Sequence, residues 1–375
     1  MRFGSQFEIS LNTLDSNFQK VKSICKSNEV IFMVKADAYG HGLVPITRFS
    51  FNELGIREFG CASLGEGTTL RKELPKDFFE IYIFSDLGLS DPELREFYSA
   101  LRLTPIISNE RDLSIFLEDE NFKNIPLCLK FNTGMNRLGL EISRMDEIIK
   151  TLKIAGRKSI DHLMTHLACA SLSIENKKNA QQFERFEQIK TTLKSSGIKV
   201  DKTSISNSGA IEQGAGLKES HVRPGLMMYG PSSLIPAISS QSKYDGELIS
   251  SLKTKIISIN SIKKGTPIGY GANVCPASGN VYIAALGYGD GFSTFNQGVE
   301  IEYMENTFKV VGRVNMDMAH LLLEDENTCQ LKENDSFVIW SRETDNFKRI
   351  CERSKMIPYE VLTSVTSRVP KIYVD

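Results

Sequence analysis

A buried strand that runs directly into a lysine is indicated by Val30-Ile31-Phe32-Met33-Val34-Lys35-Ala36-Asp37-Ala38-Tyr39-Gly40-His41-Gly42. In a parallel barrel, the carboxyl ends of the strands face the active site. Lys35 at such an end would sit in a partly desolvated mouth, where a lowered pKa favours nucleophilic chemistry on carbonyl groups. The alternative is a lysine that extends out of the barrel end into water.

Short apolar runs alternate with amphipathic segments through the first two thirds of the chain. This alternation predicts parallel strands joined by helices, and eight units in about 230 residues match a closed (β/α)8 barrel of the TIM type. An open doubly wound sheet is the alternative, but a glycine-rich nucleotide loop does not follow the first strand. The candidate strands are Val30–Val34, Glu58–Ser63, Ile81–Phe84, Leu103–Ile107, Pro126–Phe131, Asp161–Thr165, Thr203–Ser206 and His221–Arg223.

The pattern changes after a polar stretch at residues 239–246. Beyond it, apolar residues alternate with polar ones, and turn residues separate the runs, as is typical of antiparallel strands. We therefore predict a barrel over residues 1–246 and a C-terminal, mostly antiparallel β-domain over residues 247–375. The clearest of these runs are Ser251–Ile259, Val281–Leu286, Lys309–Val314 and Ser336–Trp340.

Composition excludes several classes of protein. The 375 residues are 41% hydrophobic and 24% charged, which is ordinary for globular domains and excludes wholesale disorder. The net charge of −1 gives no electrostatic reason to expect nucleic acid or an anionic membrane as a partner. No apolar stretch approaches the roughly 18 residues of a membrane span, and the N-terminus lacks the pattern of a secretory signal.

The seven cysteines are scattered and include no CxxC pair, so reduced thiols in the cytoplasm are expected rather than a disulfide framework. His162 and His166 are the only histidines close in sequence. Their segment resembles a strand more than a helix, and we expect no metal site there.

Further motifs follow the lysine segment in order along the chain. Together with Lys35–Gly42, they resemble the motifs of alanine racemases, which are pyridoxal phosphate (PLP) enzymes with a barrel and a β-domain. The segments that carry the resemblance are Asn132–Gly139, Met164–Ala168, Ser206–Ala210, Val222–Gly230, Gly269–Ala272, Gly287–Gly291, Gly312–Asp317, Tyr359–Val361 and Ser367–Pro370.

The resemblance implies a racemase that uses PLP and has one proton donor-acceptor on each face of its substrate. It assigns Lys35 to the face of D-alanine and Tyr270 to the opposite face. His166 and Arg223 match the residues that link to the tyrosine, whose phenol is a poor base at neutral pH without such partners. It also implies a homodimer in which Tyr270 comes from the second subunit, and alanine as the substrate.

The same resemblance implies the contacts to the cofactor. Arg223 matches the partner of the pyridine nitrogen, and Arg137 the partner of the phenolic oxygen and the substrate carboxylate. Met316 matches a substrate contact through its backbone N–H, and Lys130 matches a position that is N-carboxylated in many relatives. The residues that match the phosphate contacts are Tyr39, Ser208, Gly225, Leu226 and Tyr359.

Some positions depart from the pattern of the family. Ser204 and Gly65 stand where a histidine and an aspartate often continue the network from Arg223, and Asn132 replaces a more usual aspartate. These departures leave the rate and the substrate range open, so a racemase for serine or for a broader set of amino acids is an alternative. A PLP-dependent decarboxylase fits Arg223 and Tyr270 less well, and a PLP-carrier protein would lack the second domain. An alanine racemase would supply D-alanine for cell-wall peptides.

Overall fold

The computed structural model describes residues 4–75, 78–85, 88–325, 327 and 329–375. The chain forms two compact units, each made of more than one segment. Asp15–Ala38 and Leu43–Gly246 form the first, which we call the barrel unit. The second, which we call the β-unit, comprises the described residues up to Leu14 together with Tyr39–Gly42 and Glu247–Asp375.

A closed barrel of parallel strands is the centre of the barrel unit, and its eight described strands confirm the predicted fold class. Each strand pairs with the next one around the barrel, and the last pairs back with the first. Numbered in chain order across both units, the barrel strands are β2 (Glu29–Met33), β3 (Glu58–Cys61), β4 (Glu80–Ile83), β5 (Leu103–Ile107), β6 (Cys128–Asn132), β8 (Ser159–Met164), β9 (Lys199–Asn207) and β10 (His221–Arg223); a two-residue strand, β7 (Leu140–Glu141), pairs with β6.

Amphipathic helices connect the barrel strands. In the longest of them, Phe186, Ile189 and Leu193 are buried on one face, and Gly197 adopts φ +80° just after its end. The helices before the C-terminal segment are α1 (Leu11–Cys25), α2 (Leu43–Asn52), α3 (Leu64–Glu73), α4 (Pro92–Ala100), α5 (Glu110–Glu118), α6 (Met145–Ile154), α7 (Lys177–Ser195) and α8 (Ser208–Glu212). No helix in the described ranges has the length and hydrophobicity that crossing a membrane requires.

The β-unit contains a mostly antiparallel sheet. Its described strands are β1 (Ser5–Ser10), β11 (Ser250–Ile262), β12 (Pro267–Ile268), β13 (Asn273–Val274), β14 (Gly279–Ala284), β15 (Glu300–Tyr303), β16 (Asn306–Val311), β17 (Ala319–Glu324), β18 (Ser336–Trp340) and β19 (Lys371–Val374), with helices α9 (Asn346–Ser354) and α10 (Pro358–Ser364). The sheet has the order β15-β16-β17-β14-β11-β1-β19, with β18 paired to β11, while β12 and β13 pair with each other. β1 pairs antiparallel with β11 and parallel with β19, and the side chains of Phe7 and Ile9 face the core.

Candidate active site

Lys35 lies just beyond β2, where the chain enters an unusual backbone turn. Ala36, Asp37 and Ala38 all have φ between 53° and 55°, in the left-handed region. That conformation costs roughly 1–2 kcal/mol per residue, so it needs support from neighbouring groups. The N–H of Ala38 donates to the Val34 carbonyl at 2.8 Å, and a carboxylate oxygen of Asp37 accepts from the Leu43 N–H at 2.7 Å. These bonds hold the lysine at the carboxyl end of its strand.

Glu66 connects this turn to the next strand. One carboxylate oxygen accepts from the N–H of Ala36 at 2.6 Å, and the other accepts from the N–H of Ala62 at 2.7 Å. Ser63 caps α3: its hydroxyl accepts from the Glu66 N–H. This bond fixes the start of the helix and places Glu66 in its first turn. Glu66 therefore places a negative charge beside the base of the lysine side chain.

Positive charge is concentrated in the barrel unit around Lys35. Burial lowers the pKa of Lys35, Arg137 lowers it further, and Glu66 opposes the change in part. Burial and the charges of Arg223, Arg137 and Lys35 lower the pKa of Lys130 to about 8. Neutral amines are favoured because several cations share one desolvated region. Such a region is suited to an anionic ligand.

Arg223 lies at the end of β10 and is only 3% exposed. One terminal nitrogen of its guanidinium donates to the Ser204 hydroxyl, and the other donates to the backbone carbonyls of Thr165 and Ile205. Burial lowers its pKa to about 10, so the group stays charged at neutral pH. Two acceptors on β9 and one just after the end of β8 thus set its orientation.

His166 follows β8, and Asn207 at the end of β9 holds it. The side-chain amide of Asn207 donates toward His166 Nε2 at 3.4 Å, while its carbonyl oxygen accepts from the Ala210 N–H and caps α8. Burial and the charge of Arg223 lower the pKa of His166 well below its ordinary value. The ring is therefore neutral, with Nε2 as an acceptor.

Two of the predicted phosphate contacts meet in the barrel unit. The N–H of Gly225 donates to the Ser208 hydroxyl at 2.8 Å, and Leu226 follows directly in a turn of 3-10 helix. Because a hydroxyl both accepts and donates, Ser208 keeps its own proton for another acceptor. These groups thus form a small buried cluster of hydrogen-bonding groups.

Asn132 organises the loop that carries Arg137. Its side-chain oxygen accepts from the N–H groups of Gly134 and Asn136 at 3.1 and 3.0 Å, while its amide donates to Glu141 at 2.8 Å. An aspartate could make the first two bonds but not the third, because it has no donor when ionised. The departure from the family pattern therefore has a structural role in this chain.

Tyr39 and Tyr359 lie together within the β-unit. Their rings are tilted with centroids 5.8 Å apart, and burial raises the pKa of Tyr39. Gly40 makes this packing possible, because it has φ +84° and a Cβ there would lie 2.3 Å from the Leu362 carbonyl oxygen. The structure thus brings two predicted phosphate contacts together from distant parts of the chain.

Tyr270 lies in the turn between β12 and β13 of the β-unit, and its side chain is 71% exposed. Met316, whose side chain is 52% exposed, lies in a second loop. Its backbone carbonyl accepts from the Gly289 N–H at 2.8 Å. Arg368 stabilises that loop by pairing with both Asp290 and Asp317. These predicted residues are thus presented at the surface of the β-unit.

Two family models match consecutive parts of the chain. The model of the alanine racemase N-terminal domain matches residues 9–233, and that of the C-terminal domain matches residues 249–373. The chain belongs to the alanine racemase family. It is accordingly an isomerase, and the resemblance predicted from its motifs is confirmed.

Relatives in the alanine racemase family match the whole chain. The alanine racemase of Nitrosococcus oceani is 31% identical over 366 residues, covering 97% of both chains. That of Rickettsia rickettsii is 30% identical and covers 98% of both. The solved structure of alanine racemase from Acinetobacter baumannii is 26% identical, with a TM-score of 0.84 over 99% of both chains.

The sequence motifs assign no role to three residues that the structure places in or beside the candidate site. No motif assigns a role to Glu66, although its position three residues after Ser63 is the spacing of a helix-capping signal. Asn132 was noted only as a departure. The sequence suggests His162 only as a possible metal ligand, yet its Nε2 lies 2.9 Å from the Ser204 hydroxyl. The sequence signal at His162 is its equal parity with His166, which does not identify a partner.

Proposed function

We propose that this protein interconverts L-alanine and D-alanine with PLP as its cofactor. The observation that carries the proposal is the half-buried Lys35, at a barrel strand end among Arg137, Lys130 and Arg223. Its lowered pKa makes the amine available for covalent attachment to an aldehyde and for proton transfer. Membership in the alanine racemase family supports the substrate and the cofactor.

The donor groups around Lys35 fit PLP. Its phosphate needs hydroxyl and N–H donors. In the barrel unit, the Ser208 hydroxyl and the Leu226 N–H would supply them beside Gly225, whose own N–H donates to Ser208. The family resemblance adds Tyr39 and Tyr359, which lie in the β-unit, as further phosphate contacts. Arg223 has only donors and would leave the pyridine nitrogen unprotonated, whereas Arg137 would bind a carboxylate or the phenolic oxygen. Bound PLP delocalises the charge left when the α-proton of an amino acid is removed.

Two bases would move the α-proton. The neutral amine of Lys35 would accept or return it on the D-alanine face, and the Tyr270 hydroxyl would do so on the other face. His166 and Arg223 would stabilise the ionised tyrosine through hydrogen bonding and charge. Arg137 and the backbone N–H of Met316 would hold the substrate carboxylate and so orient the α-carbon.

The site would be shared between the subunits of a homodimer, with Tyr270 and Met316 supplied by the second subunit. Support comes from several exposed apolar side chains of the β-unit, which an interface would remove from water. They include Tyr270, Val274, Phe295 and Met316. A dimer that covers these side chains would also bring the second base to the lysine.

N-carboxylation of Lys130 is part of the proposal. An amine with a pKa of about 8 is partly neutral near physiological pH and can react with CO2. The resulting anion would lie among Arg137, Arg223 and Lys35, where a negative charge is favoured. It would then orient the Arg137 guanidinium.

The protein would act in the cytoplasm, and the D-alanine that it forms would be used to make cell-wall peptides. All seven cysteines are free thiols, which suits a reducing compartment. Tyr288 and Tyr359 have the bulk to narrow the site for a small side chain such as that of alanine. The departures at Ser204 and Gly65 make the substrate range a matter for measurement.

Incubation with PLP and pure L-alanine in heavy water tests the function. We expect D-alanine that carries deuterium at the α-carbon. Exchange without inversion would mean that only one base works, and would point to Tyr270 or to a missing dimer. Neither exchange nor inversion with alanine, in a protein that binds PLP, would contradict the proposal; serine and other amino acids would then be assayed in the same way.

A further inference from the structure

Arg223 is the first member of a buried chain of hydrogen bonds that leads away from Lys35. Its guanidinium donates to the Ser204 hydroxyl, and the same hydroxyl lies 2.9 Å from His162 Nε2. Ser204 and His162 are both fully buried. Three polar side chains from three barrel strands are thus connected in the barrel interior, where an unpaired polar group is costly.

The strand register explains why His162 reaches Ser204. β8 and β9 are parallel, with His162 opposite Lys202 and Met164 opposite Ser204. His162 is therefore the diagonal neighbour of Ser204 on the same face, at a distance that a long side chain can span.

The hydrogen-bond directions in the chain follow from chemistry. A guanidinium only donates, so the Ser204 oxygen accepts from Arg223. In the neutral tautomer with its proton on Nδ1, His162 Nε2 accepts the hydroxyl proton of Ser204, and Nδ1 itself has no hydrogen-bond partner among the described residues. Burial and the nearby His221 and Arg223 lower the pKa of His162 well below its ordinary value, which favours this neutral form.

The side chains on the far side of His162 from Ser204 contact its ring or pair with one another. Its ring meets the edge of Tyr82 at 5.7 Å and lies 5.2 Å from the ring of His221. Glu58 pairs with Lys202 at 2.6 Å and with His221 at 3.4 Å. The charges at this end of the barrel are therefore paired among themselves, and His162 gives Ser204 an uncharged acceptor.

We propose that His162 is a positioning residue for Arg223 and acts through the Ser204 hydroxyl. The inference rests on the proposed function, in which Arg223 faces the pyridine nitrogen and supports the catalytic tyrosine. With His162 accepting its proton, the Ser204 hydroxyl presents a lone pair to Arg223 and fixes one terminal nitrogen. Without His162, the hydroxyl can rotate toward another acceptor, and the guanidinium loses one of its fixed contacts.

A double-mutant cycle tests the connection. His162→Leu and Ser204→Ala each remove one member, and we expect each to lower kcat by about 10-fold, as loss of a buried hydrogen bond to a charged group predicts, with little change in KM for alanine. Each also shifts the absorbance maximum of bound PLP. Because the two residues act in series, the double variant should show no further loss. His162→Gln, which retains an acceptor, should recover most of the activity and the absorbance.

Ser206→Ala is the matched control. Ser206 is buried on the same strand as Ser204, but its hydroxyl donates to the Ala215 carbonyl at 2.7 Å rather than contacting Arg223. We expect this variant to retain the absorbance and kcat of the wild type. Equal losses in Ser206→Ala, or additive losses in the double variant, would overturn the proposal, because both indicate a general packing effect.

The test separates failure of this inference from failure of the proposed function. If the wild type binds PLP but does not racemise alanine, the proposed function fails, while the absorbance shift and the PLP dissociation constant still report on Arg223. Should His162→Leu not fold, Ser204→Ala must still lower kcat and shift the absorbance maximum, and His162→Gln must still retain both. An effect of His162→Gln that persists in Ser204→Ala contradicts action through Ser204.

Discussion

The carboxylate of Glu66 accepts a hydrogen bond of 2.6 Å from the backbone N–H of Ala36, the residue directly after Lys35. The same carboxylate accepts from the Ala62 N–H, so a single side chain connects the ends of β2 and β3. It supports the left-handed turn that follows the lysine, and its charge partly offsets the effect of Arg137 on the pKa of Lys35. Glu66 is thus both a structural and an electrostatic partner of the lysine segment.

Glu66→Gln should destabilise this turn. An amide nitrogen would face one of the two N–H groups that the carboxylate now accepts, and a donor left without an acceptor costs about 1–3 kcal/mol. We expect a lower urea midpoint and faster proteolysis after the lysine segment. Glu73→Gln, at the exposed end of the same helix, is the control. Equal effects of the two substitutions would show that the Glu66 carboxylate has no special role.

Lys35→Ala should abolish the absorbance band of lysine-bound PLP and reduce racemisation by at least about 100-fold, since the substitution removes both the attachment point and one base. The spectrum of the protein with added PLP, before and after alanine, measures both effects. Lys150→Ala, on an exposed position of α6, should behave as the wild type. A retained band would assign the cofactor to another lysine.

Tyr270→Phe should keep bound PLP and lose proton exchange mainly from L-alanine. The substitution removes only the hydroxyl, so the lysine on the D-alanine face still works. Deuterium incorporation into each enantiomer, measured separately under conditions where proton exchange limits the rate, distinguishes the two faces. Equal loss from both enantiomers would falsify the assignment of the two bases to opposite faces.

Mixed dimers test whether the site is shared. If each site combines Lys35 of one subunit with Tyr270 of the other, a dimer of Lys35→Ala and Tyr270→Phe chains has one intact site. Random assembly of co-expressed chains should therefore restore about a quarter of the wild-type activity, although each variant alone is inactive. No restoration, with mixed dimers demonstrated by mass spectrometry, would place both residues in one chain.

Glu58 should make stability depend on pH in acid. Burial alone would raise its pKa, but hydrogen bonds from His221 and Lys202 outweigh burial and lower the pKa from 4.5 to about 2. A carboxyl with a depressed pKa in the folded state stabilises the fold above pH 4.5, and this contribution is lost as the pH falls toward 2. Its size is about 3 kcal/mol at neutral pH.

Glu58→Gln should therefore lower the urea midpoint at pH 7 and flatten the loss of stability across that acidic window. Urea titrations at a series of pH values measure this. Glu118→Gln, on the surface, is the control. A stability profile of Glu58→Gln that still parallels the wild type below pH 4.5 would mean that other carboxyls control acid unfolding.

The strand pattern of the barrel could be predicted from the sequence because buried parallel strands are short apolar runs. β5 and β10 have the predicted bounds, and the others differ by a few residues at their ends. The place of β1 was not predicted: Phe7 and Ile9 indicate a strand with one buried face, but only pairing with β11 and β19 shows which sheet it joins.

The individual residues of the candidate site were predicted from motifs, whereas their partners were not. Asn132 was a departure in the sequence and a loop organiser in the structure, because hydrogen bonds to Gly134, Asn136 and Glu141 depend on how the loop folds. A motif specifies which side chain is present at a position. It does not specify which donor or acceptor from another part of the chain lies within hydrogen-bonding distance of that side chain.

The sequence by itself determined the alternation of strands and helices, the change to an antiparallel unit near residue 246, and the lysine at the end of the first barrel strand. These features depend on local hydrophobic periodicity and on residue types close together in the chain. Only the tertiary structure decided that Glu66 supports the Lys35 turn, that Tyr39 packs on Tyr359, and that His162 reaches Arg223 through Ser204. The reason is that barrel closure and strand register bring together residues that are distant in sequence, and a local sequence pattern does not show which of them will be in contact.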